Sequence, residues 1–222
     1  MSMRLELPGG GRVLFTDRTH GSVDSEDGRE ELRRLIGVEG FARGRQVHGS
    51  VVRSVSELDA GDPLVEADGQ ATSAVGVGAM VLSADCLPVA LGCDGAVAMV
   101  HAGWRGLAAG VIEEGVRAIQ ELGEGGGTVA IVGPSAGACC YEVGPEVHDA
   151  FARARRDGDR VDPPTTSSCR IDLRAIAHER LLAAGVAEVR DVLACTICDE
   201  RFFSYRREGE RAGRQAGVAW LS

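Results

Sequence analysis

The chain has 222 residues, 44% of them hydrophobic, and a formal net charge of −9. That length and composition suit a globular chain with a sizeable core, while the acidic balance argues against nucleic acid as the main partner, because phosphate backbones call for a basic surface. No uninterrupted apolar run reaches the ~18 residues that a membrane span needs, and the opening Met1-Ser-Met-Arg-Leu lacks the apolar core of a signal peptide.

Arg12 to Thr16 reads as a strand, and Glu30 to Ile36 as a short helix with Leu32, Leu35 and Ile36 on one face. Arg45 to His48 and Val51 to Val55 are short β-prone runs, and Gly61-Asp-Pro63 is a turn. Gly76 to Ser83 and Ala96 to His101 read as buried strands that bracket a loop carrying Cys86. Leu107 to Leu122 has the best helical period of the chain, with Gly123 at the expected stop. Thr128 to Val132 is a further buried strand, followed by the glycine-punctuated loop Gly133 to Gly144. Pro145 to Ala154 reads as a helix, Asp157 to Ser168 as a loop, Asp172 to Ala184 as an amphipathic helix and Val189 to Leu193 as a strand-like lead into Cys195-Thr-Ile-Cys198. The tail to Trp220 reads as an apolar pair of strands. Strands and helices mix without a steady βαβ rhythm, so the expected class is α+β, mixed sheets flanked by helices. No repeat or long linker divides the chain, which reads as one domain over residues 1–222.

Chemistry concentrates where apolar runs end. His48 closes Gln46-Val-His48, Cys86 lies in Ser-Ala-Asp-Cys86-Leu-Pro, and His101 ends the run that precedes Ala-Gly-Trp-Arg105-Gly. Two imidazoles and a thiolate are a suitable three-ligand set for a catalytic zinc, with the fourth position left open. Strand ends also suit ligands, because a rigid sheet fixes them while loops admit substrate. Arg105, on a glycine-flanked turn at a helix start, is the strongest candidate for an anion, since guanidinium bonds phosphate bidentately and helix-start amides favour negative charge. Arg206 and Arg207 are further candidates. Tyr205 and Phe203 could stack on a purine or pack in the core, Asp85 could orient a ligand or act as a base, and Asp68 and Glu142 are weaker candidates.

The absences are informative as well. All 24 basic residues are arginine, so Schiff-base chemistry and a P-loop lysine are excluded. There is no asparagine, which removes N-glycosylation and a Cys-His-Asn triad. Seven cysteines, an odd number, fit a reduced, cytoplasmic setting better than a disulfide framework. Cys195-Thr-Ile-Cys198 lacks a second such pair and is expected to be packed or loop-shaping, and the adjacent Cys139-Cys140 is awkward for chelating one metal.

These pieces resemble the YfiH family: Gln46-Val-His48-Gly, Ala84-Asp-Cys86-Leu-Pro, His101-Ala-Gly-Trp-Arg-Gly, Cys139-Cys-Tyr-Glu-Val-Gly, Cys195-Thr-Ile-Cys198, Phe202-Phe-Ser-Tyr-Arg-Arg and Gly213-Arg-Gln-Ala-Gly, in order over roughly residues 12 to 221. That family, once labelled multicopper polyphenol oxidase or laccase-domain, is described as a zinc-containing purine nucleoside phosphorylase with adenosine deaminase activity. The resemblance implies an α+β fold, zinc on His48, Cys86 and His101 (copper being the other metal), and a nucleoside and phosphate as substrates. On that expectation the residue reading casts Cys86, Arg105 and Asp85 as catalytic and Arg206, Tyr205, Phe203 and Gln46 as substrate-binding. Ser135 departs from the pattern, which usually has a cysteine there. Three other readings stay open: Cys86 as a nucleophile with His101 as its base, in an amidohydrolase editing peptidoglycan precursors; a copper-dependent polyphenol oxidase, for which five histidines are few; and a non-catalytic metal-binding partner protein. Oligomeric state is not read from the sequence.

Overall fold

The computed structural model describes residues 3–58, 65–154 and 170–222. A five-stranded sheet runs in the order β1 (Met3–Glu6), β2 (Gly11–Phe15), β11 (Gln215–Leu221), β6 (Val77–Ser83) and β3 (Gly40–Ala42). Its pairs are antiparallel except β3 with β6. A six-stranded sheet runs β10 (Glu188–Asp191), β9 (Val129–Val132), β7 (Leu87–Cys93), β8 (Ala96–Ala102), β5 (Gly69–Thr72) and β4 (Val52–Ser54). Here the two outermost pairs are parallel and the inner ones antiparallel. The mixture confirms the α+β class.

The sheets face each other across Phe15, Val81, Val97, Met99, Ile131 and Leu221. The helix α1 (Glu26–Ile36) covers the outer face of the first sheet, with Leu32 and Ile36 against Met80, Val218 and Trp220. On the outer face of the second, α3 (Val111–Leu122) and α5 (Leu173–Ala183) pack Ile112, Ile119 and Leu181 against Val89, Leu91 and Val100. Each sheet therefore buries both faces, in four layers: helix, sheet, sheet, helices. This is why β7 and β8 are buried at every position and read as unbroken apolar runs instead of alternating ones.

Several expectations shift. Leu87–Cys93, read as part of a loop, is a central strand, because Pro88 and the glycine at 92 masked its pattern. The helix expected over 107–122 is two: α2 (Trp104–Ala109) and α3, separated by Gly110 at φ 97, a left-handed conformation that glycine adopts without strain. The α1 helix begins earlier than expected, because the Ser25 hydroxyl caps the Gly28 amide at 3.1 Å and Glu26 and Asp27 suit the first turn. Residues 45–48 supply one bridge, Arg45 to Glu66, and no strand. The tail holds a single strand, β11, preceded by the short helix α6 (Tyr205–Glu208). The helix α4 (Pro145–Arg153) stands where expected. The turn at 61–63 and the loop at 157–168 lie outside the described residues.

Candidate active site and metal centre

The sheets meet the loops at one edge, and there the fold assembles His48, Cys86 and His101. His101 is the penultimate residue of β8, Cys86 immediately precedes β7 where the chain crosses between the sheets, and His48 lies on the bend after the Arg45 bridge. Their ligand atoms all lie within 4.8 Å of one another, and Cys86 Sγ is 3.8 Å from His48 Nε2. The two rings stand edge to face, with centroids 4.9 Å apart. Gly103 backs the cluster: a Cβ there would fall 2.9 Å from His48 Cδ2 and 3.2 Å from Cys86 Sγ. Only a glycine lets α2 start so close to the three side chains.

Asp68 organises the centre. Its fully buried carboxylate accepts a hydrogen bond from His101 Nδ1 at 2.8 Å and from the backbone amides of Val47, His48 and Gly49 at 3.1, 3.0 and 2.7 Å. The first bond turns the other ring nitrogen of His101 toward Cys86, and the amide bonds hold the His48 bend. Among the described residues, His48 (φ 60) and Asp85 (φ 102) are the non-glycine residues with positive φ. Both belong to this site, where backbone strain held by surrounding structure is characteristic of function.

The charges are coupled. Burial pushes the Cys86 thiol up, but the positive His101 beside it and hydrogen bonds from both histidines outweigh burial and bring it down to about 6. Burial pushes His101 down, but the Cys86 thiolate and Asp68 outweigh it and raise it to about 9. Asp68 is pulled below the usual carboxylate range, since its bonds to His101 and the amides exceed the cost of burial.

Above this centre lies a cavity of about 660 Å³. His48, Cys86 and His101 line it together with Gln46, Asp85, Tyr141, Tyr205, Arg43, Arg206 and Arg214. Cavities of roughly 300–1,000 Å³ hold small-molecule ligands. The Arg206 guanidinium lies 4.9 Å over the Tyr141 ring. Burial and the negative charge on Cys86 push the Tyr141 phenol up, so it keeps its proton.

Other expected residues take different places. Asp85 accepts hydrogen bonds from Thr196 Oγ1 at 2.6 Å, Ser204 Oγ at 3.1 Å and the Arg206 amide at 2.8 Å. A carboxylate so fully engaged anchors the Arg206 backbone and is poorly placed to act as a base. The Gln46 amide is spent on both backbone groups of Leu82, at 2.8 Å each, so it ties the His48 loop to β6. Phe203 is buried under the Arg18 guanidinium, 4.4 Å away, outside the cavity lining. It is a packing residue, because its own amide and carbonyl bond the buried Gln215 side chain and fix it inward. Arg105 is exposed, stacked 4.2 Å over Trp104, and is not among the residues that line the cavity. Its helix has six residues and offers little dipole. Arg207 is committed to the carbonyls of Thr196 and Ile197 at 2.8 and 2.9 Å. Glu142 pairs with Arg170 at 3.1 Å. Ser135 is buried, and Arg174 reaches its hydroxyl at 3.4 Å. Tyr141 and Arg214 lie within the motifs Cys139-Cys-Tyr-Glu-Val-Gly and Gly213-Arg-Gln-Ala-Gly but were not singled out as site residues, and Arg43 carried no motif signal. Cys195 and Cys198, expected to be packed or loop-shaping, meet Cys139 and Cys140, and although adjacency makes the latter two awkward for one metal, the turn brings all four sulfurs within 4.8 Å.

A half-buried cysteine and a buried histidine oriented by a carboxylate, under a cavity lined with arginine and tyrosine, make a candidate active site with donors that could hold a metal, on a two-sheet α+β frame. Residues 19–222 match the family described as multi-copper polyphenol oxidoreductase laccase. The purine nucleoside phosphorylase of Xylella fastidiosa (strain Temecula1) is 40% identical over 207 residues, 88% of this chain and 78% of that protein. The purine nucleoside phosphorylase YfiH of Escherichia coli (strain K12) is 35% identical over 213 residues, 89% of this chain and 83% of its own. The crystal structure of Neisseria meningitidis protein NMB0706 superposes with a TM-score of 0.85 at 29% identity, covering 100% of this chain and 99% of that one. The chain belongs to this laccase-like family, which includes the YfiH proteins.

Proposed function

We propose that the chain is a zinc-dependent purine nucleoside phosphorylase of the cytoplasm, converting a purine nucleoside and phosphate to free base and ribose 1-phosphate. The observation that carries this reading is the shared cavity: metal-type donors on its floor, three arginines and two tyrosines in its walls. The names of the relatives supply the reaction class, and no described helix is long and apolar enough to cross a membrane.

The donor set fits zinc. Two imidazoles and one thiolate within 4.8 Å, with one histidine fixed by a buried carboxylate, match a three-ligand site with an open position. Several coppers do not fit, because only two of the five histidines converge, and the other candidate cluster among the described residues is all cysteine. Zinc held by His48, Cys86 and His101 would supply a Lewis acid beside the cavity.

The chain's own residues do the rest. Arg206, whose backbone Asp85 fixes, faces the cavity with Arg43 and Arg214, and together they hold phosphate. Tyr205 offers a ring face to the purine. Tyr141, which keeps its phenolic proton, donates a hydrogen bond to the substrate. An oxygen of hydrogen phosphate bonds C1′ as the C1′–N9 bond breaks, and the departing purine takes up the proton that the phosphate loses. Adenosine deamination belongs to the same reading as a second activity of the centre, on a scaffold unlike the His-x-Glu deaminases.

Asp68, His101 and Cys86 also form a carboxylate–imidazole–thiolate series, and the lowered Cys86 pKa suits a nucleophile. An amidohydrolase acting on peptidoglycan precursors is therefore the second reading. Adenine release from adenosine by purified, metal-analysed protein, with and without phosphate, separates the two. Release that requires phosphate, with about one zinc at this centre, supports the phosphorylase. Equal release without phosphate, or none despite bound zinc, rejects it.

A further inference from the structure

Away from the cavity floor, two turns bring four thiols together. Cys139 and Cys140 lie on the turn between β9 and α4, and Cys195 and Cys198 on the turn between β10 and α6. We propose that Cys139, Cys140, Cys195 and Cys198 form a second metal site, a closed four-thiolate zinc site that staples these two turns and thereby shapes the cavity wall. The inference does not rest on the phosphorylase reading.

The geometry is that of a chelating cluster. All four sulfurs lie within 4.8 Å of one another, with Cys139 to Cys198 at 3.6 Å and Cys140 to Cys198 at 2.9 Å. Zinc–sulfur bonds of about 2.3 Å in a tetrahedron place sulfurs roughly 3.8 Å apart, so the cluster needs only a small opening at Cys140. Thiolates without histidine or carboxylate are soft donors, and a tetrahedral four-sulfur set selects zinc as a structural ion.

The surroundings are built for it. Cys195 Sγ accepts the Gly137 amide at 3.2 Å. Such a bond spreads the charge of a metal-bound thiolate. A Cβ on Gly137 would stand 3.3 Å from Cys139 Sγ and 3.4 Å from Cys195 Sγ, so glycine gives the sulfurs their room. Arg207, paired with Glu208 at 2.7 Å, binds the carbonyls of Thr196 and Ile197 at 2.8 and 2.9 Å and so braces the turn that carries Cys195 and Cys198. The two turns are already registered by the Ser135 to Cys195 bridge, through the Thr196 amide on the Ser135 carbonyl at 2.9 Å. Ser135 thus stands under this cluster.

The link to function is one residue long on each side. Tyr141 follows Cys140 and lines the cavity. Thr196 follows Cys195 and donates to Asp85 at 2.6 Å, which in turn holds the Arg206 backbone. Zinc at the four cysteines would fix both cavity residues from outside.

Zinc content and cobalt(II) spectra of the full chain, purified reduced, test the proposal. Wild type is expected to hold about two zinc ions per chain, and Cys86→Ala about one, the latter giving the charge-transfer and ligand-field bands of a tetrahedral thiolate site on cobalt substitution. Those bands should vanish in the added double variant Cys139→Ser, Cys198→Ser. Should that variant fail to fold, differential alkylation of wild type serves instead: zinc should protect all four thiols, and a chelator should expose them. A metal-free Cys86→Ala protein, equal labelling with and without zinc, a Cys140–Cys198 disulfide in non-reduced peptides, or stoichiometric copper or iron at these cysteines would each overturn it.

Discussion

Cys86 and His101 stand at the ends of buried strands and His48 on a bend that Asp68 holds, while Cys139, Cys140, Cys195 and Cys198 hang from turns. In the first cluster a buried carboxylate, Asp68, aims the ligands, and one side opens on a cavity of about 660 Å³. In the second the sulfurs close on one another and backbone amides do the aiming. The protonation chemistry differs accordingly. Beside the positive His101, the Cys86 thiol falls to about 6. Hydrogen bonding with Cys140 pushes Cys198 up to about 11, while burial of Cys195 is outweighed by amide bonds that bring it to about 7. An open, charge-assisted set serves a reacting substrate, and a closed, self-satisfied one serves architecture.

The sharpest way to break this contrast is Cys86→Ala. It should remove the metal of the open centre and lower phosphorolysis by more than about a hundredfold, beyond what outer groups carry; steady-state rates near wild type would assign the chemistry elsewhere. Asp68→Asn keeps the shape but weakens the hold on His101 and the His48 bend. Metal affinity of the open centre should fall about 10- to 100-fold, read by chelator competition, with no change at the four cysteines. Arg206→Ala should raise the phosphate KM about tenfold, the worth of one charge-assisted contact. Arg105→Ala should leave it within about twofold, since Arg105 stands outside the lining; the reverse ranking would return the anion to the α2 turn.

The smallest effect concerns pH. The reactive thiolate exists above a thiol's pKa, so in metal-stripped protein Cys86 should alkylate at neutral pH and slow only as pH falls through about 6. Cys198, though exposed, should alkylate only in alkaline solution. Peptide-resolved labelling across pH reads both, and faster labelling of Cys198 at neutral pH would show that exposure, not charge, governs these thiols.

Much of this was legible in the chain. The apolar runs ending at Ser83 and His101 marked β6 and β8, the 3.6-residue period marked α3 and α5, and the motif order carried the family. The candidate trio could be picked out because histidine and cysteine at the ends of apolar runs are few in a chain with five histidines. Local pattern failed where a neighbour distant in sequence decides. Asp68 is a lone carboxylate until it meets His101, 33 residues away. Phe203 and Tyr205 look alike as purine platforms, yet Gln215 turns one inward and the other stays at the rim. Arg105 keeps its motif, but its guanidinium stacks on Trp104 and is not among the residues that line the cavity.

The sequence by itself determined the α+β class, the family, most of the helices and buried strands, and the candidate trio His48, Cys86 and His101, because these rest on periodicity and on residue chemistry at short spacing. Only the tertiary structure decided which carboxylate orients the centre, which arginines face the cavity, and that Cys139-Cys140 meets Cys195 and Cys198 across 58 residues. Those outcomes depend on how two sheets and their crossing loops bring remote backbone together, and no local spacing records that.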